Sequence, residues 1–199
     1  MKKENDTPIR AFVGIPLDKT SNNLLSRALE PLQASPQSKH IRWVQPQNRH
    51  LTLAFLGQVP AAIGGQLMDC LHRHLREHNA NTGFELKLQN IKRFPGARSL
   101  IVAAITDNPP QLQTLYQCLQ KCCAQLSLAE NNKPFRPHIT LGRNRHKIRA
   151  AGTDNSEHRP EIVELEIVLT VDKVNFYRSA LTPEGSQYTA LSYLSLLPD

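Results

Sequence analysis

The order of apolar and polar residues divides the chain into alternating extended and helical stretches. Residues 9–15 (IRAFVGI) and 49–57 (RHLTLAFLG) read as strands, and 84–94 (FELKLQNIKRF) alternates with the period of two expected of a half-buried strand. Residues 41–45 (IRWVQ) and 136–142 (RPHITLG) are short and extended, and 99–105 is apolar and extended. Pro95-Gly96 is a turn signal that makes a hairpin of the flanking runs. Leu24, Leu25, Ala28, Leu29 and Leu32 recur at helical spacing after Thr20 or Ser21, either of which is a suitable cap, and Pro36 ends that helix. A second helix is expected over 60–79, with Leu67, Cys70, Leu71, His74 and Leu75 on one face. A third, opened by Asp107 or Asn108 ahead of Pro109, covers 109–128 and shows Leu112, Leu115, Leu119, Cys122 and Leu126 on one face. Residues 161–180 and 187–197 alternate again and give two or three strands, whereas 1–8 reads as a polar tail and 144–160 as an exposed basic loop. Interspersed strands and helices with antiparallel neighbours define an α+β fold.

Composition narrows the function classes. The chain has 199 residues, enough for one large domain or two small lobes with a real core. Apolar residues at 40% and charged residues at 21% are the balance of a globular protein rather than a disordered one. A formal net charge of +7 favours a nucleic acid or a phosphorylated ligand, although a basic surface without a partner has the same charge. No apolar h-region follows MKKENDTPIR, and no apolar stretch is long enough to span a bilayer, so no membrane partner is expected. The four cysteines form no C-x-x-C pair, which with the missing leader suggests a reduced, cytoplasmic protein.

One repeat carries chemistry: His-Leu-Thr-Leu at 50–53 and His-Ile-Thr-Leu at 138–141. In a strand, residues two apart share a face. His50 therefore stands beside Thr52, and His138 beside Thr140, while Leu51, Leu53, Ile139 and Leu141 point the other way and anchor each strand. Two such strands facing one another bring two imidazoles to one groove. Cleavage of a phosphodiester needs one group to deprotonate the nucleophile and another to protonate the leaving oxygen. Histidine suits both roles because its unperturbed pKa is about 6.5. Thr52 and Thr140 can hydrogen-bond non-bridging phosphate oxygens, and Arg143 can balance charge in the transition state. A single H-x-T is often accidental, and a lone histidine on a half-buried strand is more often structural than catalytic. Two copies, each in a strand, point to function.

At these residues the chain resembles the two-histidine phosphoesterases, and more closely the bacterial RNA 2′,3′-cyclic phosphodiesterases, also called 2′–5′ RNA ligases. The similar segments are 10–17 (RAFVGIPL), 43–59 (WVQPQNRHLTLAFLGQV), 135–145 (FRPHITLGRNR) and 177–196 (YRSALTPEGSQYTALSYLSL). The resemblance implies a single bilobal domain over 1–199, with two pseudo-symmetric antiparallel sheets and outer helices flanking a central groove. It implies metal-independent hydrolysis of RNA ending in a 2′,3′-cyclic phosphate to a 2′-phosphomonoester. His50 and His138 match the catalytic pair, Thr52 and Thr140 the phosphate-binding hydroxyls, and Arg143 a phosphate-contacting base. Phe55 matches a ring that stacks on the terminal base, worth roughly 1–3 kcal/mol. Ligation or cleavage of 2′–5′ linkages in the same site, and an RNA-binding module without catalysis, are the alternatives. The loop at 144–160 is longer and more basic than the resemblance implies, through Arg145, Lys147, Arg149 and Arg159.

Other constellations are weaker. His74-Leu-Arg-Glu77-His78 fits H-x-x-E-H, but no third ligand is nominated, and a solvated helix face is the expectation. Cys118, Cys122 and Cys123 are expected as small core residues. No P-loop or G-x-G-x-x-G is present, so no cofactor, metal or obligate protein partner is implied.

Overall fold

The computed structural model describes residues 7–95, 100–128, 134–144, 163–183 and 185–196. In chain order the elements are β1 (Pro8–Pro16), α1 (Lys19–Ala34), β2 (Ile41–Trp43), β3 (His50–Pro60), α2 (Ile63–Glu77), β4 (Phe84–Pro95), β5 (Leu100–Thr106), α3 (Pro110–Gln125), β6 (His138–Asn144), β7 (Val163–Val171), β8 (Lys173–Thr182) and β9 (Gly185–Ser195). These match the expected α+β sequence of elements closely. Arg145, Lys147, Arg149 and Arg159 of the basic loop, and the turn at Gly96, lie outside the described residues.

The strands form one sheet in the order β7-β4-β5-β6-β3-β1-β8-β9, with β2 added against β6. Every neighbouring pair is antiparallel. The two expected lobes are the halves β3-β1-β8-β9 and β6-β5-β4-β7. Each half places its motif strand beside the strand that precedes it across a helix: β1-α1-β3 in one, β5-α3-β6 in the other. Among the described residues a single register pair between β3 and β6, Leu51 with Ile139, joins the halves. The expected two sheets are thus continuous through this one seam.

Helices cover the sheet. α1 packs against β7 of the opposite half, and α2 against β9 and α3. The core is aliphatic: Val13, Ile15, Leu25, Leu29, Leu51, Leu67, Leu71, Leu75, Leu86, Leu115 and Leu141 are among its buried members. Burial of each such side chain contributes about 1.5–3 kcal/mol. Gly64 lies so close to Phe176 that an added Cβ would stand 2.6 Å from the ring, which fixes how α2 meets β8.

Two sequence expectations for α1 need correction. Its cap is Asp18, whose Oδ1 accepts from Ser21 N–H at 2.8 Å, not Thr20 or Ser21. Ser21 is instead buried, its hydroxyl donating to Asp18 Oδ2 at 2.5 Å and lying 3.0 Å from Val168 O of β7. Leu24 is exposed, so the buried stripe is Ser21, Leu25, Leu29 and Leu32.

Candidate active site

His50 and His138 are the first residues of β3 and β6. From each histidine onward the strands repeat one burial pattern: half-buried, buried, half-buried, buried, buried, exposed. The exposed sixth positions are Phe55 and Arg143. Strict alternation would send a residue five positions beyond the histidine to the opposite face. A bulge in each strand prevents this. Val13 and Gly14 of β1 pair with Ala54 and Thr52, which leaves Leu53 as the extra residue of β3. Val102 and Ala103 of β5 pair with Gly142 and Thr140, which leaves Leu141 as the extra residue of β6. One added residue shifts the phase by one and re-aims the side chains beyond it. His50, Thr52 and Phe55 therefore share a face, as do His138, Thr140 and Arg143. Phe12 shows it directly, since its ring centroid is 4.6 Å from His50 and 6.2 Å from Phe55.

The seam between the halves brings these two triplets together. With Leu51 opposite Ile139, the antiparallel register carries His50 toward Thr140 and Thr52 toward His138. The positive charges of His138 and Arg143 both act on the His50 ring. All six residues singled out in the sequence are thus on β3 and β6, at the seam of the sheet.

Each imidazole is oriented by its own chain. The Nδ1–H of His50 donates to Asn48 O at 2.8 Å, and that of His138 to Arg136 O at 2.8 Å. Fixing Nδ1 as donor puts the lone pair of each neutral ring on Nε2. The segment before His50 is itself tied down. Asn48 Nδ2 donates to Ser186 O at 2.9 Å, and Asn22 Nδ2 to Pro46 O at 2.8 Å. The buried Arg49 donates from Nη1 to Asn22 Oδ1 at 2.9 Å and Ser26 Oγ at 2.8 Å, which pins the segment to α1.

His50 also sits in an aromatic wall that the motif pattern does not single out. Tyr177 stacks on Phe12 at 4.9 Å, and Tyr188 stands edge-on to His50 at 5.1 Å. Asn175 Nδ2 donates to Tyr177 Oη at 2.9 Å and holds that ring. A sequence signal exists: Phe12, Tyr177 and Tyr188 lie in strand segments that carry the resemblance. Burial in this wall lowers the His50 pKa to about 4, His138 and Arg143 push it the same way, and the Asn48 carbonyl opposes them. Gly14 makes the close approach possible, since a Cβ there would stand 2.9 Å from Leu51 O and 3.3 Å from His50 Cδ2. Phe55, by contrast, is 62% exposed.

A half-buried pair of oriented imidazoles flanked by hydroxyls and an arginine suits an anionic, tetrahedral group. A separate cavity of about 460 Å³, lined by Lys87, Leu88, Asp107, Glu166 and Val168, lies between β4 and β7 at the far edge of the sheet. It contains no residue of either motif.

Known proteins are similar to this chain over nearly its whole length. The RNA 2′,3′-cyclic phosphodiesterase of Methanothermobacter thermautotrophicus is 26% identical over 194 residues, which cover 94% of this chain and 99% of that protein. The protein of the same name from Thermotoga maritima is 28% identical over 185 residues, covering 92% and 93%. Escherichia coli LigT complexed with phosphate has the same fold, with a TM-score of 0.71 at 25% identity over 97% of this chain and 100% of LigT. The family model described as the 2′-5′ RNA ligase superfamily matches residues 23–182, and the chain belongs to that superfamily.

Proposed function

We infer that the protein is an RNA 2′,3′-cyclic phosphodiesterase, which opens the cyclic phosphate at an RNA 3′ end to a 2′-phosphomonoester. The reading rests on one observation above the rest: the two His-x-Thr strands meet at the seam of the sheet, and each imidazole commits Nδ1 to the backbone carbonyl two residues before it. Several relatives similar over nearly the whole chain bear the same activity in their names.

In this reading His50 and His138 act as the acid–base pair. One Nε2 takes the proton of the attacking water, and the other, protonated, gives a proton to the departing 3′ oxygen. Thr52 and Thr140 donate to the non-bridging phosphate oxygens. Arg143 stabilises the charge that gathers on the phosphorane-like transition state. Each proton transfer contributes roughly 10²–10⁴-fold in rate. Acid, base and positive charge are all supplied by side chains, so the reaction requires no metal. Phe55 stacks on the base next to the cyclic phosphate. The working unit is the whole chain as a single bilobal domain, and its reduced thiols fit a cytoplasmic setting.

The superfamily's description favours one further reading, the joining of ends in a 2′–5′ linkage by the same site. A terminal hydroxyl would then replace water as the nucleophile. Water, being far more concentrated, makes hydrolysis the dominant outcome. Incubating a short RNA ending in a 2′,3′-cyclic phosphate in EDTA and identifying the product tests both. A 2′-phosphate is expected. A 3′-phosphate, or no conversion, contradicts the proposal, and a longer 2′–5′ linked product assigns ligation.

A further inference from the structure

On the outer side of the sheet, α2 and α3 lie against each other and bring a second set of reactive side chains together. Cys70 and His74 are one helical turn apart on α2, while Cys122 and Gln125 are three residues apart on α3. One ligand atom from each of Cys70, His74 and Cys122 lies within 4.8 Å of the others. Both cysteines are buried, at 3% and 0% exposure, whereas the His74 side chain is 18% exposed and gives the cluster a route to solvent.

The histidine is prepared in a particular way. His74 Nδ1–H donates to Glu77 Oε2 at 3.2 Å. That carboxylate fixes the tautomer and leaves the Nε2 lone pair free, as the outer partner of a metal-bound histidine does. Nε2 faces Gln125 Oε1 at 3.3 Å, and Cys70 Sγ lies 3.2 Å from the same oxygen. With Nδ1 as the donor, Nε2 and Oε1 oppose each other as two acceptors. A proton, a turned amide or a cation relieves that opposition. Two thiols converging on the same point select the cation.

We propose that Cys70, His74 and Cys122 bind a thiophilic divalent cation, zinc in the first instance, with Gln125 Oε1 or a water as the fourth ligand. Tetrahedral zinc needs its ligand atoms roughly 3.5–3.8 Å apart, so closing the cluster takes side-chain movements of about 1 Å. Binding releases one proton from each thiol. Two thiolates and a neutral imidazole then make an uncharged complex with Zn²⁺, which a buried site tolerates. Of H-x-x-E-H, only His74 and Glu77 take part, since His78 Nδ1–H donates to the His74 carbonyl at 2.9 Å. α2 follows β3 and α3 precedes β6. The ion would therefore clip together the helices adjoining the two motif strands and serve stability rather than catalysis.

The test uses the full chain, stripped with chelator and kept under a non-thiol reductant, titrated with Co²⁺ and then with Zn²⁺. One equivalent of Co²⁺ should give the visible bands of a tetrahedral site and a thiolate charge-transfer band, and Zn²⁺ should displace it and raise Tm. His74→Gln, at the solvent edge, should weaken Co²⁺ binding at least tenfold while leaving the metal-free Tm unchanged. Cys122→Ser, which leaves only the Cys70 thiolate, should cut the charge-transfer band to about half or less. A His50→Ala/His138→Ala double variant should bind as the parent does. Absence of tetrahedral bands, their survival in both His74→Gln and Cys122→Ser, or their loss in the double variant would overturn the proposal.

Discussion

His50 and His138 hold their rings identically: each Nδ1 lies 2.8 Å from the carbonyl oxygen two residues before it, on Asn48 and Arg136. A strand start is the place where this is possible. The carbonyl two residues upstream is not yet committed to the ladder and can turn toward the ring. The arrangement sets the tautomer of both histidines through backbone carbonyls.

The His50 pKa is lowered to about 4 by burial, then by the positive charges of His138 and Arg143. A bound tetrahedral anion reverses the electrostatic part of that shift. NMR titration of the ring should show a midpoint near 4 in the free protein, moving upward when sulfate is added. Sulfate keeps one charge state across this range, so the movement belongs to the ring. An unchanged midpoint would place the anion elsewhere.

The same shift links stability to pH. The unfolded chain holds His50 at about 6.5 and the folded chain at about 4, so between these values the unfolded state binds more protons. Stability from this group is fully present above about pH 6.5 and is lost as pH falls toward 4. Between pH 7 and pH 5 the loss is about 2 kcal/mol. Urea unfolding at the two pH values should show a drop in the parent that is smaller by about this amount in His50→Gln. An equal drop in both would show that burial does not hold the ring neutral.

Gly14 should resist replacement. An alanine Cβ would meet Leu51 O at 2.9 Å and the His50 ring at 3.3 Å, and neither the backbone nor the walled ring can withdraw freely. Gly14→Ala is expected to cost about 1–3 kcal/mol of stability and to lower kcat by displacing Nε2. Denaturant unfolding and turnover measured on the same sample check both.

Phe55 should behave in the opposite way. Its ring is 62% exposed, so Phe55→Ala should leave stability within about 0.5 kcal/mol. Loss of stacking worth roughly 1–3 kcal/mol should raise KM for an oligonucleotide about 5- to 160-fold. An unchanged KM would remove Phe55 from substrate binding.

Much of this was legible in the sequence, for definite reasons. The strand and helix order could be read because the relevant periodicities are local. The two histidines stood out because a four-residue pattern occurs twice. The start of α1 differs from the expectation because Asp18, Thr20 and Ser21 are all good caps; Asp18 takes the role by bonding Ser21, whose side chain is buried against Val168, 147 residues away. The bulges at Leu53 and Leu141 were invisible for a similar reason. They are defined by partner strands, yet they bring Phe55 and Arg143 to the histidine face, where plain alternation would not. The seam at Leu51 and Ile139 rests on one pair, too little to leave a pattern. The Cys70–His74–Cys122 cluster combines half of one weak motif with residues from another helix.

The central claim is that two histidines on opposite halves of one sheet share a single phosphodiester. The most direct measurement is the hydrolysis rate of a short RNA ending in a 2′,3′-cyclic phosphate, in EDTA, for the parent, His50→Ala and His138→Ala. Each substitution alone should lower turnover by roughly 10²–10⁴-fold, with circular dichroism showing an unchanged fold. Turnover within a few-fold of the parent in either variant would contradict the account.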